Sequence, residues 1–287
     1  MSGIYSDDKT MNQQKTWFVT GTSKGLGLTL VKRLLAAGHQ VAATTRNTAA
    51  LLEALGEQPE HLLALAVDLT DDTSVKQAVA QTIQRFGRLD VVVNNAGYSL
   101  VGSLEEMTDR EFRQTIDVNL FGAVNVIRAA MPHLRAQGSG HVINISSNAG
   151  YVGFANAASY NAAKFAIVGL SEALALEAQP FGIKVTVVAP GQFRTNFMDE
   201  GSMQFARNRI PAYGLDKAEE LWRSFSGRQA GDPEKLAGIL MDLVTYPEPP
   251  LHLLLGADTY QLITEHRERE KQEIDAWKHV TLSTDFD

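Results

Sequence analysis

The sequence of 287 residues contains no cysteine. This absence excludes disulfides, iron–sulfur clusters, thiolate zinc sites and cysteine nucleophiles, so redox chemistry has to come from a bound organic cofactor. Long apolar runs are also missing, since the longest covers only residues 62–67 and a membrane-spanning helix needs about 20 residues. Residues 1–16 are polar and contain no apolar core of a secretion signal. We therefore expect a cytoplasmic protein.

Neither sign of charge is concentrated in one region. The chain carries 26 basic and 33 acidic residues, interspersed along its length, for a net charge of -7. Without a basic stripe, we expect no nucleic-acid partner and no anionic membrane partner. The seven histidines form no i,i+4 pair, and neither a serine-hydrolase elbow nor a Walker lysine is present. The sequence therefore predicts no metal site.

Short apolar runs alternate with helical patterns, which is typical of repeated βα units and a parallel sheet. A capping box of Thr108 and Glu111 predicts a long helix to about Leu134. No repeat or change of composition divides the chain, so we predict one α/β domain over 16–287, a doubly wound parallel (Rossmann) sheet with helices on both faces. The predicted strands cover 16–19, 41–44, 62–67, 89–93, 141–145 and 184–188.

Three further segments lie outside this alternation. Residues 1–15 have too little apolar surface to offset their ordering entropy and are predicted to be a mobile tail. Residues 192–227, hereafter the lid segment, follow the sixth strand with scattered large apolar residues and are predicted to be a substrate lid. Residues 257–280 are predicted to form a charged C-terminal helix.

A glycine-rich loop follows the first predicted strand directly. Gly21, Gly25 and Gly27 let the backbone turn sharply and approach a phosphate closely, and the apolar face that begins at Leu28 indicates a helix. Three glycines could also make only a tight turn, but the strand before them and the helix after them favour a dinucleotide site.

The end of the second strand indicates which dinucleotide binds. An acidic residue there accepts the ribose 2'-hydroxyl of NAD, whereas a basic residue accommodates the 2'-phosphate of NADP. Here Thr45 is followed by Arg46, and Lys24 adds a second cation in the glycine loop. Both cations could be ordinary solvated surface charges. Together with the missing carboxylate, they favour NADP (NADPH) over NAD.

Further motifs follow the glycine loop in order: Asp68-Leu69, Asn94 to Gly97, Asn119, Ser147, Tyr160 with Lys164, and Pro190-Gly191 with Thr195. Together they resemble the short-chain dehydrogenase/reductase family over about residues 16–255, with lid features similar to its steroid and retinol dehydrogenase branch. The resemblance implies a catalytic tetrad of Asn119, Ser147, Tyr160 and Lys164. The implied cofactor-binding residues are Gly21, Ser23, Lys24, Gly25, Leu26, Gly27, Arg46, Asp68, Leu69, Asn95, Ala96, Gly97, Tyr160, Lys164, Pro190, Gly191, Phe193 and Thr195.

The Tyr-x-x-x-Lys motif of this family occurs three times, beginning at Tyr5, Tyr160 and Tyr213. The motif alone is therefore worthless as evidence. Tyr5 precedes the first strand and Tyr213 lies in the lid segment, whereas Tyr160 follows the strand that ends near Ser147. Tyr160 and Lys164 are four residues apart and share one helix face.

Reduction of a carbonyl builds negative charge on its oxygen, so a proton donor and a hydrogen-bond donor are needed there. We expect Tyr160 to be the general acid in reduction and the base in oxidation, and Ser147 to donate to the substrate oxygen. We expect Lys164 and the oxidised nicotinamide to lower the tyrosine pKa from about 10 to about 7. The resemblance implies that Asn119 orders a proton-relaying water.

The predicted substrate is a small, hydrophobic alcohol or ketone that contacts Ser147, Tyr98 and Tyr151, with Ser99, Asn148 and the lid segment nearby. The resemblance also implies a homodimer or homotetramer. The main alternative is an NADP-binding sensor or scaffold without turnover. A weaker alternative is an epimerase or dehydratase that uses the cofactor transiently.

Overall fold

The computed structural model describes residues 14–56, 59–199 and 201–286. Seven parallel strands form its central sheet, in the order β3-β2-β1-β4-β6-β7-β9, and β5 pairs with β8 in a separate small sheet. The strands are β1 (Thr16–Thr20), β2 (Gln40–Thr45), β3 (Leu62–Ala66), β4 (Val91–Asn94), β5 (Ser99–Val101), β6 (Gly140–Ile145), β7 (Ile183–Pro190), β8 (Met203–Phe205) and β9 (His252–Leu255).

The predicted doubly wound sheet is confirmed, and its six predicted strands lie within two residues of their predicted ends. The seventh strand, β9, was not predicted as a strand. It pairs with β7 at the edge of the sheet, where His252 lies beside Val187. Its apolar run is short and stands between Pro250 and the helix that starts at Ala257, so periodicity alone does not identify it.

Helices cover both faces of this sheet. Alternate residues of β1 separate the two cores, because Trp17 and Val19 pack with α1, α2 and α8, whereas Phe18 packs with α3, α5 and α6. The helices are α1 (Gly25–Ala36), α2 (Thr48–Leu55), α3 (Asp72–Phe86), α4 (Asp109–Ile116), α5 (Gly122–Gln137), α6 (Ala158–Ala178), α7 (Leu215–Ser224), α8 (Pro233–Leu243), α9 (Ala257–Ala276) and α10 (Lys278–Leu282).

The long helix predicted after Thr108 is interrupted. Its capping box is present, since Thr108 accepts from the backbone of Glu111 and the Glu111 carboxylate accepts in return. One turn of π-helix, Asp117–Phe121, then separates α4 from α5. Such turns insert one extra residue per turn and often occur at functional sites. Hydrophobic periodicity does not reveal the turn, because an apolar face continues through it.

The lid segment contains regular structure. It holds a 3-10 turn at Asn196–Met198, strand β8, a second 3-10 turn at Pro211–Tyr213 and helix α7. Strand β8 pairs with β5, so the segment is joined to the body by backbone hydrogen bonds. The predicted lid therefore contains regular secondary structure and is not a structureless loop.

The residues at the two ends of the chain lie outside the central sheet. Residues 1–13 of the predicted mobile tail lie outside the described residues. Gln14 and Lys15, which belonged to that prediction, are tied to the body through Gly38 and His39. At the other end α9 and α10 follow β9. Among the described helices, none is both long and apolar enough to cross a membrane.

Candidate active site

A cavity of about 410 Å³ opens at the carboxyl ends of the parallel strands. This is where ligands bind in open α/β sheets. Most predicted site residues line it, and three, Gly27, Asn119 and Tyr151, do not. The predicted residues that line it are Gly21, Ser23, Lys24, Gly25, Leu26, Arg46, Asp68, Leu69, Asn95, Ala96, Gly97, Tyr98, Ser99, Ser147, Asn148, Tyr160, Lys164, Pro190, Gly191, Phe193 and Thr195.

The loop between β1 and α1 has the shape of a phosphate cradle. Gly21 has a φ of +71°, and a Cβ there would lie 2.7 Å from the Cα of Ala96. Gly25 also has a positive φ, of +59°. Lys24 is the N-cap of α1, and its side chain makes no capping hydrogen bond to the backbone N–H groups of the first turn. A helix N-terminus of this kind attracts a diphosphate.

Gly27 has a packing role rather than a place in the cavity wall. A Cβ on Gly27 would lie 2.3 Å from the carbonyl oxygen of Gly21 and 2.6 Å from Nδ2 of Asn95. The Asn95 amide in turn donates to the carbonyls of Thr20 and Gly21, at 2.9 and 3.1 Å. Gly27 thus lets α1 approach the loop, and its contact with the cofactor stays a prediction.

One end of the cavity lies beyond β2 and β3, where Arg46 and Asp68 stand. The Asp68 carboxylate accepts from the hydroxyl and the backbone of Thr70, at 2.7 and 2.9 Å. These hydrogen bonds, helped by the charge of Arg46, lower the pKa of Asp68. Arg46 itself is exposed. The end of β2 is therefore followed by the cation of Arg46, and the Asp68 carboxylate is hydrogen-bonded to Thr70.

The other end of the cavity holds three of the four predicted catalytic residues. Tyr160 and Lys164 lie one turn apart near the start of α6, with the lysine Nζ 5.6 Å from the tyrosine ring centre. Lys164 is only 4% exposed, and its Nζ donates to the carbonyl oxygen of Ile145 at 2.9 Å. Ser147 follows β6, accepts from the backbone of Ala149 and hydrogen-bonds the Tyr160 phenol.

Burial shifts both titrating groups of this pair toward their neutral forms. Desolvation raises the pKa of Tyr160 to about 12, against the opposing effect of the Ser147 hydrogen bond. Desolvation also lowers the pKa of Lys164 to about 8. The protein's own groups therefore keep the phenol protonated at neutral pH. The predicted pKa near 7 is therefore not reached in the protein without its cofactor, because desolvation dominates.

Asn119 stands behind the cavity wall, in the π-helical turn. Its Nδ2 donates to the carbonyls of Tyr98 and Thr115, at 3.0 and 2.9 Å, and its Oδ1 accepts from the Tyr98 backbone at 3.1 Å. A Cβ on Gly97 would lie 2.4 Å from this Oδ1. The side chain is thus committed to backbone groups. The Asn119 side chain thus supports the segment at Tyr98, and the role of Asn119 in ordering a relay water stays a prediction.

The two tyrosines predicted to contact substrate lie in different places. Tyr98 lines the cavity, although its hydroxyl is paired with Oγ1 of Thr115 at 3.2 Å. Tyr151 lies outside the cavity, since its hydroxyl is 2.7 Å from Nδ1 of His252 and its ring lies under Arg267. The Tyr151 side chain is thus directed toward β9, and its contact with substrate stays a prediction.

Apolar side chains of the lid segment form part of the cavity wall at the end that holds Tyr160 and Lys164, hereafter the catalytic end. Phe197 lies beside this pair, with its ring centre 6.2 Å from that of Tyr160. Phe205, Tyr213 and Phe225 belong to the same segment but do not line the cavity. The apolar or aromatic lid-segment residues in the wall are Phe193, Phe197, Met198, Met203 and Trp222.

Sequence reasoning missed the loop before α6 and the residue Gln229, which also line the cavity. Phe154 and Asn156 come from this loop, and Asn156 has a φ of +61°, rare for a residue other than glycine. Its carbonyl accepts from the backbone of Gly102 at 2.8 Å, which joins the loop to the end of β5. The sequence offered no periodic signal for either feature.

Comparison with known proteins agrees with this geometry. The profile of the family described as short chain dehydrogenase matches residues 15–204. The chain is 36% identical to Oxidoreductase BOA17 of Botryotinia fuckeliana over 94% of this chain and 99% of that protein. It is also 36% identical to a 3-ketodihydrosphingosine reductase of Bacteroides thetaiotaomicron, over 85% of this chain and 88% of that protein.

Solved structures give the same assignment. A short-chain dehydrogenase from Streptomyces avermitilis has a TM-score of 0.87 at 39% identity and covers 95% of this chain and 100% of its own. ElxO with NADP bound has a TM-score of 0.70, and a 3-ketoacyl-(acyl-carrier-protein) reductase of Brucella melitensis with NADH has 0.69. Both are 26% identical and cover 84% of this chain and 96% of their own. The chain therefore belongs to the short-chain dehydrogenase/reductase family of oxidoreductases, which work with a nicotinamide cofactor.

Proposed function

We propose that this protein is an NADPH-dependent carbonyl reductase, or in reverse an alcohol dehydrogenase, for a small hydrophobic substrate, with Tyr160 as general acid and base. The observation that carries the proposal is that Tyr160, Ser147 and the buried Lys164 line one cavity together with the phosphate cradle. A tyrosine–lysine pair on an ordinary helix surface would not line the cavity at the carboxyl ends of the strands.

Each catalytic side chain has a task that fits its surroundings. A bound nicotinamide would supply the hydride that reaches the carbonyl carbon. Tyr160, protonated at neutral pH, donates its proton to the carbonyl oxygen, and Ser147 donates a hydrogen bond to the same oxygen. Lys164, held by the Ile145 carbonyl, is the residue that would bind the ribose hydroxyls and place positive charge near the phenolate that results.

The charges at the far end of the cavity favour NADP. Arg46 stands where an NAD enzyme would have a carboxylate, and Asp68 is engaged with Thr70. Lys24 lies in the same cavity wall. Related proteins of known structure contain either NADP or NADH, so the family alone does not favour one of them. The cations at Arg46 and Lys24 support the phosphorylated cofactor.

The apolar cover supports a hydrophobic substrate. Phe197 lies next to Tyr160, and Met198, Met203 and Trp222 continue the wall away from it. Flexible methionines adapt to apolar ligands of different shape. The relative named 3-ketodihydrosphingosine reductase acts, by its name, on a keto compound, which agrees with the direction of reduction.

The experiment is to follow NADPH and NADH absorbance with the purified protein against a panel of hydrophobic ketones, aldehydes and quinones. We expect net NADPH consumption with at least one carbonyl, and weaker activity with NADH. Tight NADPH binding with no turnover on any compound would favour a sensor or scaffold instead. Substrate conversion without net cofactor consumption would favour an epimerase or dehydratase. Arg46→Asp, at the end of β2, should weaken NADPH binding and spare NADH.

A further inference from the structure

Asn161, near the start of α6, binds three points of the loop that follows β6. Its Nδ2 donates to the carbonyl oxygens of Ala149 and Val152, at 2.7 and 2.8 Å. Its Oδ1 accepts from the backbone N–H of Phe154 at 3.0 Å. Both amide hydrogens and the amide oxygen of one side chain are therefore used on a single loop, and these three partners define which way the amide is turned.

This loop begins with the 3-10 turn that has Ser147 as its N-cap. The N–H of Ala149 donates to Oγ of Ser147 at 3.2 Å, within the turn itself. Such a local bond gives the turn its shape but does not fix it relative to α6. Hydrogen bonds to α6 do so on both sides of Ser147. Ser146 Oγ donates to the Lys164 carbonyl at 3.0 Å, and after the serine Asn161 donates to the loop.

The bond from Ala149 also determines how Ser147 can act. A serine hydroxyl has one hydrogen to donate and two lone pairs that accept. Since the Ala149 N–H occupies one lone pair, the hydroxyl hydrogen is left for other partners. These are Oδ1 of Asn148, 3.0 Å from Oγ, and the Tyr160 phenol. Burial raises the pKa of Tyr160, and the Ser147 hydrogen bond opposes that rise. A shift of the turn would therefore change both the donor offered to substrate and the acidity of the phenol.

We propose that Asn161 is a positioning residue, which holds Ser147 where its hydroxyl can donate to the reacting oxygen. Asn161 does not line the cavity, so it acts through the Ala149 peptide. Without its amide, the carbonyls of Ala149 and Val152 would lose their bonds to α6, and the turn would be free to shift relative to Tyr160. A misplacement of about 1 Å lowers turnover by up to about 100-fold. The inference rests on the proposed function, because it requires Ser147 to act on a carbonyl or alcohol oxygen.

The first experiment is a double-mutant cycle of Asn161→Ala and Ser147→Ala, in which NADPH turnover is followed with the most active carbonyl of the panel above. We expect Asn161→Ala to lower kcat about tenfold in the wild-type background, with the dissociation constant of NADPH unchanged. In the Ser147→Ala background it should change kcat by less than about twofold, because the hydroxyl that it positions is already gone. Asn161→Ser is the second variant if Asn161→Ala does not fold, since one hydroxyl cannot replace both amide hydrogens.

The second experiment is the pH profile of alcohol oxidation with NADP+, which needs no detectable turnover of Ser147→Ala. Oxidation requires the Tyr160 phenolate, so kcat/KM falls as pH drops below the pKa of Tyr160. A hydrogen bond from Ser147 favours the phenolate and lowers this pKa. Asn161→Ala should therefore move the acid limb of the profile to higher pH. A loss of stability alone would lower the fraction of active protein without moving the limb.

Gln137→Ala is the matched control. The Gln137 amide donates to the carbonyl oxygens of Leu89 and Ser139, at 3.0 and 3.2 Å. These residues precede β4 and β6, at the end of the sheet opposite the cavity. Both substitutions thus remove an amide that donates to two backbone carbonyls, and thermal unfolding should show a lower melting temperature for both. Only Asn161→Ala should change kcat and the pH profile.

An equal fall in kcat in both backgrounds of the cycle would overturn the inference, because Asn161 would then act independently of Ser147. An acid limb that stays in place would overturn it too, as would a kcat of Asn161→Ala no lower than that of Gln137→Ala. Absence of any NADPH turnover by the wild type is a different result, since it removes the proposed function as a whole. Turnover by the wild type with an unchanged kcat in Asn161→Ala removes only the role of Asn161.

Discussion

The two walls of the catalytic end are built in different ways. The wall that carries Ser147, Tyr160 and Lys164 comes from the central sheet and from α6, and its polar groups are held by short bonds to the backbone, as at Ile145. The wall formed by the lid segment is held by a small apolar cluster and by carboxylates. There Glu106, fully buried, accepts from the backbone of Ile210 at 2.9 Å.

Charge pairs at the surface also join residues within the lid segment. Glu219 accepts from Arg209 and Arg223, at 2.8 Å each, with all three side chains partly exposed. Such pairs contribute little stability and are screened by salt. We expect the sheet wall to carry the chemistry and the lid wall to determine which substrates bind. The following predictions test this division.

Tyr160→Phe should have the largest effect. Removing the general acid should lower kcat by about 10²–10⁴-fold, while the dissociation constant for NADPH stays close to wild type. Steady-state kinetics and fluorescence titration measure the two quantities. Tyr213→Phe is the matched control, since Tyr213 belongs to the same type of motif but bonds Glu105 at the surface, outside the cavity. Near-wild-type turnover of Tyr160→Phe would show that the sheet wall does not carry the proton transfer.

Lys164→Met should reveal the cost of burying the ammonium group. Burial lowers the lysine pKa from 10.5 to about 8. The charged form therefore destabilises the fold at neutral pH, and this penalty is lost as pH rises from about 8 to 10.5. We expect the free energy of unfolding of the wild type to rise by about 3 kcal/mol relative to that of the cofactor-free variant between pH 7 and pH 10.5.

Denaturant unfolding at several pH values measures this difference for Lys164→Met. Lys32→Met, on the exposed face of α1, is the control and should show no such dependence. A difference between Lys164→Met and wild type that stays constant with pH would mean that Lys164 is not desolvated as its burial indicates.

Trp222→Ala should act on substrate binding alone. Trp222 lines the cavity, so its loss should raise KM for bulky carbonyls about tenfold, while small carbonyls and kcat change little. Phe225 packs against Trp222 with ring centres 6.4 Å apart but does not line the cavity. Phe225→Ala is therefore the control. A large fall in kcat for Trp222→Ala would couple the two walls and break the comparison.

Glu219→Gln should have the smallest effect. It weakens the pairs with Arg209 and Arg223, so we expect a loss of about 0.5–1 kcal/mol in stability at low salt. The loss should shrink in 1 M salt because the exposed charges are screened. Thermal unfolding at the two salt concentrations measures it. A loss of several kcal/mol, independent of salt, would show that these pairs hold the lid segment together far more strongly than exposed pairs do.

The success of the sequence-based predictions also differs between the regular sheet and the other parts of the fold. The order of strands and the position of Tyr160 after Ser147 were predictable, because buried parallel strands leave continuous apolar runs. The edge strand β9 and the π-helical turn around Asn119 were not, since neither changes hydrophobic periodicity. The direction of Tyr151 depends on its tertiary partner His252, which is distant in sequence.

Gln229 shows a second limit of sequence reasoning. An isolated glutamine after a helix has no motif around it, and most glutamines are exposed. Only the fold shows that it is buried beside the loop after β7, where its carbonyl accepts from Arg194. The same holds for Gly27, since only its neighbours in the fold show that it also makes room for α1.

The most direct test of the central claim is a crystal structure of the complex with NADP+ and an alcohol product. The account predicts the diphosphate at the N-terminus of α1, the nicotinamide ring beside Tyr160 and Lys164, and the alcohol oxygen within hydrogen-bond distance of Tyr160 and Ser147. A nicotinamide bound elsewhere, or a Tyr160 side chain turned away from the ring, would contradict it.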